Sequence, residues 1–220
     1  GMNGFKRDLM PSEIINQIMY LQHVLKEEIT NYVFMGMGEP LDNFKNVSKA
    51  IIIMNDPGAM KIGARKITIS TCGIIPAIEK LKDLNLQVNL SVSLHAANDA
   101  LRSRLMPVNK IYPLKELIAS CKEYVSLTGR QVTFEYVLIK GVNSSLSAAG
   151  ELVSLLAGWN AKVNLLIYNP VEEFKYEPAG RQEALSFKRV LREGGVPVTI
   201  RKPRGKDIEG ACGQLRAKME

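Results

Sequence analysis

The chain has 220 residues, enough to bury one sizeable core, and its 46% hydrophobic and 23% charged content is that of an ordinary folded domain. No stretch approaches the roughly 20 apolar residues of a membrane span, and the net charge of +7 suits a polyanionic partner such as RNA without requiring one. Cys72, Cys121 and Cys212 are odd in number and far apart, which excludes a disulfide framework or a clustered metal motif and points to a reducing, cytoplasmic compartment.

Pro11-Ser12-Glu13 opens a helix, with Ile14, Ile18, Leu21 and Leu25 as its buried stripe. Tyr32 to Met35 reads as the first strand and runs into Gly36-Met37-Gly38-Glu39-Pro40. Glycine there lets backbone come close to a ligand, and Glu39 sets a negative charge at the same rim. Val47, Ala50, Ile51 and Met54 recur at helical spacing until Asn55-Asp56-Pro57-Gly58 breaks the pattern. Ile67 to Ser70 is a second strand, ending in Thr71-Cys72-Gly73, and Pro76 begins a helix that buries Ile78, Leu81 and Leu84. Val88 to His95 is a third strand, apolar at every second residue.

The stretch Ala96 to Tyr112 is irregular and holds a short helix; Leu114, Leu117, Ile118, Cys121 and Val125 then form a helix stripe. Val132 to Leu138 is the fourth strand, followed by a helix with Leu146, Ala149, Val153 and Leu156 inward. Lys162 to Ile167 is the fifth strand, ending in Tyr168-Asn169-Pro170. Ala184, Phe187 and Leu191 mark a helix that stops at Gly194-Gly195, and Val196 to Ile200 is a sixth strand. Strand and helix alternate six times, which predicts a parallel sheet with helices outside. Polar residues alternate within these strands, unlike those of a flat sheet buried on both faces. A barrel, or an open partial barrel, explains them better.

The strand ends present Glu39, then Ser70 and Thr71, then Ser93 and His95, then Glu135 a turn earlier, then Asn169. Barrel enzymes build their active sites at that end. Carboxylates, hydroxyls, an amide and an imidazole suit a zwitterionic or ribose-bearing ligand. His95 is either a general base or an imidazole bonded to a neighbouring loop. Lys140 is either a Schiff-base nucleophile or a solvated cation. Cys121, on an apolar stripe, belongs to the core. Cys72 ends a strand, where it either packs or functions. Cys212, among glycines and after Arg201, Lys202, Arg204 and Lys206, is either a nucleophile with a lowered pKa or a surface thiol.

Six ordered segments resemble the RlmN/Cfr family of radical S-adenosylmethionine enzymes, which methylate an adenine of RNA. They are Gly36 to Leu41, Thr68 to Gly73, Ser93 to Ala96, Glu135 to Val137, Tyr168 to Pro170 and Arg204 to Leu215. The resemblance runs from about Gly4 to Leu215. It implies a partial (β/α)6 TIM-like radical SAM barrel over residues 1–200, lacking its first strand, and a basic tail over 201–220. It places Gly38, Glu39, Ser70, Ser93, Leu94, His95 and Asn169 on positions that contact S-adenosylmethionine. Cys212 falls on the cysteine that first receives a methyl group, from which a radical then carries the carbon to the base. The implied target is carbon 2 of an adenine in 23S rRNA and tRNA, with carbon 8 as the Cfr-type alternative, and a monomer is expected.

The family's 4Fe–4S cluster is held by a C-x3-C-x2-C motif, and no such motif occurs in these residues. The resemblance places that motif just upstream of Gly4 to Leu9. The 220-residue chain is therefore expected to bind no cluster and to show no turnover. Two other readings compete: a Schiff-base barrel enzyme using Lys140, and a non-catalytic RNA-binding module using Arg65, Lys66 and the Arg201 to Lys206 cluster.

Overall fold

The computed structural model describes residues 5–36, 38–170 and 175–201. Its elements, in order, are α1 (Pro11–Met19), β1 (Tyr32–Phe34), α2 (Phe44–Asn55), β2 (Ile67–Thr71), α3 (Ile75–Lys82), β3 (Asn89–Ser93), α4 (Asp99–Leu105), α5 (Leu114–Thr128), β4 (Val132–Leu138), α6 (Leu146–Leu156), β5 (Ala161–Ile167), α7 (Arg181–Glu193) and β6 (Val198–Ile200). All six strands pair in parallel, in chain order from β1 to β6. The sheet does not close on itself among the described residues, so the expected partial barrel is what forms.

The alternation in the strands has a direct structural meaning. Ile67 and Ile69 of β2, Leu90 and Val92 of β3, Phe134 and Tyr136 of β4, and Val163 and Leu165 of β5 are all fully buried in the core. Burial of each such side chain stabilises the fold by about 1.5–3 kcal/mol. The helices supply the other half of that core through Ile51 and Met54 of α2, Leu81 of α3, Leu117 and Cys121 of α5, Leu152 of α6 and Phe187 of α7. Successive residues of a strand point to opposite faces. The intervening Ser70, Ser91, Ser93, Glu135 and Asn164 thus share the other, concave face. The sequence alternates because one face meets helices and the other meets a polar interior.

Two local expectations need correction. Ile14 and Ile18 are buried, but Leu21 and Leu25 are 40% and 50% exposed. The α-helix gives way at Tyr20–Val24 to a single π-helical turn, whose wider winding carries the stripe off the core-facing side. The third strand is shorter than the apolar alternation predicts. Val88 and Leu94 are buried just outside it, and His95 takes a left-handed backbone conformation (φ 58°) that ends it.

Gly194, at the end of α7, packs against α6. A Cβ there would lie 2.6 Å from Val153 Cγ2 and closer still to Cγ1. Gly194→Ala is therefore expected to destabilise the fold by about 1–3 kcal/mol through overpacking. Urea unfolding of that variant, alone and with Val153→Ala, checks the cause. The second substitution should recover most of the loss, and failure to do so would exclude steric conflict.

Candidate active site

A cavity of about 200 Å³ lies at the C-terminal ends of the strands. It is lined by Gly36, Gly38 and Glu39 after β1, by Ser70, Thr71 and Cys72 of β2 and its exit, and by Ser93 and His95 at β3. Glu135 and Val137 of β4, Leu166 of β5 and Arg201 after β6 complete the wall. All six strands thus contribute to one space.

Glu39 is fixed by backbone. Its Oε1 accepts the Leu41 N–H at 3.0 Å within the turn, and its Oε2 accepts the Cys72 N–H at 2.7 Å from the exit of β2. Charge-assisted bonds of this kind are the stronger class, and here they staple the first strand exit to the second. Gly38 has φ 96°, which an L side chain adopts only with strain, and nothing lies within 4 Å of where its Cβ would be. The backbone is bare on the side of that open space.

His95 lines the cavity, but not as a general base. Its Nδ1 accepts the Val137 N–H at 3.2 Å, which puts the ring proton on Nε2. Burial, with a smaller contribution from the Arg102 charge, pulls its pKa down to about 4. At neutral pH the ring is an uncharged donor. Its unfolded pKa lies near 6.5, so the unfolded chain binds the proton more readily. The stability contributed by neutral His95 is present above pH 6.5 and is lost as pH falls from about 6.5 towards 4. His95→Asn, whose side chain tolerates φ near 58°, should flatten urea-denaturation stability across that interval; an unchanged slope would assign the loss elsewhere.

The strand exits are tied together behind the cavity. The fully buried Arg102 of α4 donates from Nη2 to the carbonyls of Cys72 (2.8 Å) and Ser93 (3.2 Å), and from Nη1 to Asn109 Oδ1 (2.7 Å). Asn143, also fully buried, donates to the carbonyls of His95 (2.8 Å) and Val137 (2.7 Å) and accepts the Ile139 N–H (2.7 Å).

Of the residues expected at the site, Gly38, Glu39, Ser70, Ser93 and His95 meet in the cavity. The Leu94 side chain lies in the core instead. Asn169 stands beyond the end of β5 and is not part of the wall, which Leu166 forms on that strand. Cys212 lies outside the described residues. Cys72 lines the cavity, but burial and the nearby Glu39 charge push its thiol up to about 12, so it is no thiolate nucleophile at neutral pH. Lys140 is exposed and bonded to Glu177 at 2.8 Å, which raises its pKa; a Schiff-base role needs the opposite shift. Sequence reasoning put Arg201 in the tail. Its position directly after the last strand was the available signal, whereas the apolar Leu166 offered none.

The Radical SAM superfamily profile matches residues 2–146 of the chain. The chain is 46% identical over 217 residues to the probable dual-specificity RNA methyltransferase RlmN of Lachnospira eligens, covering 99% of this chain and 62% of that protein. It is 49% identical over 217 residues to the protein of the same name from Thermoanaerobacter sp. X514, covering 99% and 63%. The chain belongs to the RlmN family of the radical SAM superfamily. A radical SAM methyltransferase from Sphaerobacter thermophilus, known from its crystal structure, superposes with a TM-score of 0.95 at 45% identity, over 99% of this chain and 65% of that one. SuiB of Streptococcus suis, solved with S-adenosylmethionine, shares the fold at a TM-score of 0.68 and 18% identity, over 92% of this chain and 46% of that one. This RlmN-family chain therefore spans somewhat under two thirds of the length of these two RlmN relatives.

The superfamily implies S-adenosylmethionine and a 4Fe–4S cluster. The cavity fits the first: it offers bare backbone at Gly38, hydroxyls at Ser70 and Ser93, and a buried carboxylate oxygen on Glu135 without a partner. The described residues do not fit the second. Their cysteines are Cys72 and Cys121. Burial pushes the Cys121 thiol up to about 12 within the core. No group of three or more His, Cys, Asp or Glu side chains stands ready for a metal among the described residues.

Proposed function

We propose that this chain is the S-adenosylmethionine-binding core of a radical RNA methyltransferase that modifies carbon 2 of an adenine in 23S rRNA and tRNA. The observation that carries the reading is one cavity lined from β2 to β5 and from the residues that follow β1 and β6, with Gly38, Glu39, Ser70, Ser93 and His95 together in its wall. The bound cofactors supply a methyl group and a carbon-centred radical.

The roles of the chain's own residues follow from their geometry. Glu39, held by two backbone N–H groups, offers its remaining lone pairs to a cationic amino-acid end. Gly38 lets that end approach the backbone. Ser70, Ser93 and the Nε2–H of His95 supply neutral hydrogen bonds in a wall that limits water. Cys212 is assigned as the methyl-carrying thiol, and Asn169 and the backbone at Leu94 as further cofactor contacts. The net charge of +7 favours approach of a polyanionic RNA.

Calorimetric titration with S-adenosylhomocysteine tests the reading. The wild-type chain should bind, and Glu39→Gln should bind roughly tenfold more weakly, as expected for loss of a charged hydrogen-bond acceptor. A wild-type chain that binds neither S-adenosylhomocysteine nor S-adenosylmethionine would overturn it. Reconstitution of the 220-residue chain with iron and sulfide should leave no cluster absorbance; a full cluster signal would refute the reading that these residues do not hold the cluster. Mass spectrometry of RNA nucleosides, after reaction with a full-length relative rebuilt around this core, separates methylation at carbon 2 from carbon 8.

A further inference from the structure

Glu135 is the one buried carboxylate of the cavity that the reading above leaves unused. Its side chain sits in the concave face at mid-strand, 7% exposed. One oxygen, Oε1, accepts from Ser91 Oγ at 3.0 Å and from Asn164 Nδ2 at 3.1 Å. Asn164 is itself held by Thr199, whose hydroxyl donates to its Oδ1. Glu135, Asn164 and Thr199 are direct register partners across β4, β5 and β6. Three strands therefore hold the carboxylate in one orientation through one of its oxygens.

The other oxygen, Oε2, is buried and has no hydrogen-bond partner, and Glu135 forms part of the cavity wall. A buried carboxylate oxygen without a donor is costly. No cation is bonded to it among the described residues; Arg201 lines the same cavity and is exposed. The register partner of Glu135 on β3 is Ser93, which lines the cavity too. Register partners share a face, so the Ser93 hydroxyl and the Glu135 carboxylate both belong to the face that lines the cavity. That pairing suits a sugar with neighbouring hydroxyl groups: the carboxylate accepts one O–H while the serine donates or accepts at the other.

The geometry points to Glu135 as a ligand-binding residue whose free Oε2 accepts a hydrogen bond from a ribose hydroxyl of the nucleoside in this cavity. The inference rests on the reading of the cavity as an S-adenosyl site. It assigns the amino-acid end of the ligand to Glu39 and the sugar to Glu135.

The test uses calorimetric titration of the whole chain with S-adenosylhomocysteine and with its 2′-deoxy and 3′-deoxy forms. For the wild-type chain, one of the two deoxy ligands should bind at least about tenfold more weakly than the ribose form, the cost of losing a charge-assisted hydrogen bond. In Glu135→Gln, whose amide nitrogen, a donor, takes the place of Oε2 once the amide oxygen serves Ser91 and Asn164, affinity for the ribose form should fall by a similar factor. The same deoxy substitution should then cost little further. Equal wild-type binding of all three ligands would overturn the proposal without needing any variant. A folded Glu135→Gln protein with unchanged affinity would also overturn it and would mean that water or Arg201 serves Oε2. Failure of the wild-type chain to bind any of the three overturns the S-adenosyl reading, and this inference with it.

Discussion

Arg102→Met should lower the free energy of unfolding by about 3–5 kcal/mol, because it leaves buried acceptors without a donor at several places at once. The guanidinium is fully buried and bonds the carbonyls of Cys72 and Ser93 and the side chain of Asn109. Those carbonyls stand at the exits of β2 and β3, the two strands that bring Ser70 and Ser93 to the cavity. Methionine fills a similar volume but donates nothing. For a chain of this length the loss corresponds to a melting temperature lower by roughly 10 °C or more. Arg102→Lys should recover only part of the stability, since one ammonium lacks the planar fork that serves three acceptors together. Urea unfolding of both variants measures this. A methionine variant within 1 kcal/mol of wild type, or a lysine variant equal to it, would show that the arginine is not the clamp described above.

Asn143→Ala should be nearly as damaging, costing on the order of 3 kcal/mol, and should also weaken ligand binding. One amide there satisfies the carbonyls of His95 and Val137 and the N–H of Ile139. The first of these holds His95 in a left-handed conformation that non-glycine residues seldom adopt. Without it the β3 exit relaxes, the Nδ1 contact to Val137 loosens, and the imidazole becomes better hydrated. The pKa of His95 should then rise from about 4 towards its ordinary value. NMR titration of the imidazole in Asn143→Ala reports this directly. A His95 pKa that stays near 4 in the folded variant would show that the asparagine does not position the ring.

The sequence displayed the scaffold clearly because alternating burial leaves a periodic trace. Ile67, Ile69, Leu90, Val92, Phe134 and Tyr136 mark their strands by spacing alone. The helix stripes of Val47 to Met54 and of Leu114 to Cys121 are equally plain. The rim was legible too, since Glu39, Ser70, Ser93 and His95 stand where apolar runs stop. Arg102 was not legible. Read along the chain it is one of several cations in an irregular stretch, and its burial depends on carbonyls thirty residues before it and nine before it. Asn143 hid for the same reason, as an amide in a loop whose partners come from two strand exits. The misplaced Leu21 and Leu25 show the converse: a helical period continued on paper where the backbone had already changed its winding.

The lateral order of the strands, the same as their order along the chain, has a consequence for how the molecule is made. No described strand has to wait for a later one to be slotted between it and its predecessor. Each strand–helix pair emerging from the ribosome can add to the edge just presented, and every closure spans one helical crossover connection rather than the whole polypeptide. A nascent chain that has reached the end of β3 has already met every described strand partner of β1 and β2. Assembly can therefore run in the direction of synthesis, with each new edge serving as the template for the next addition.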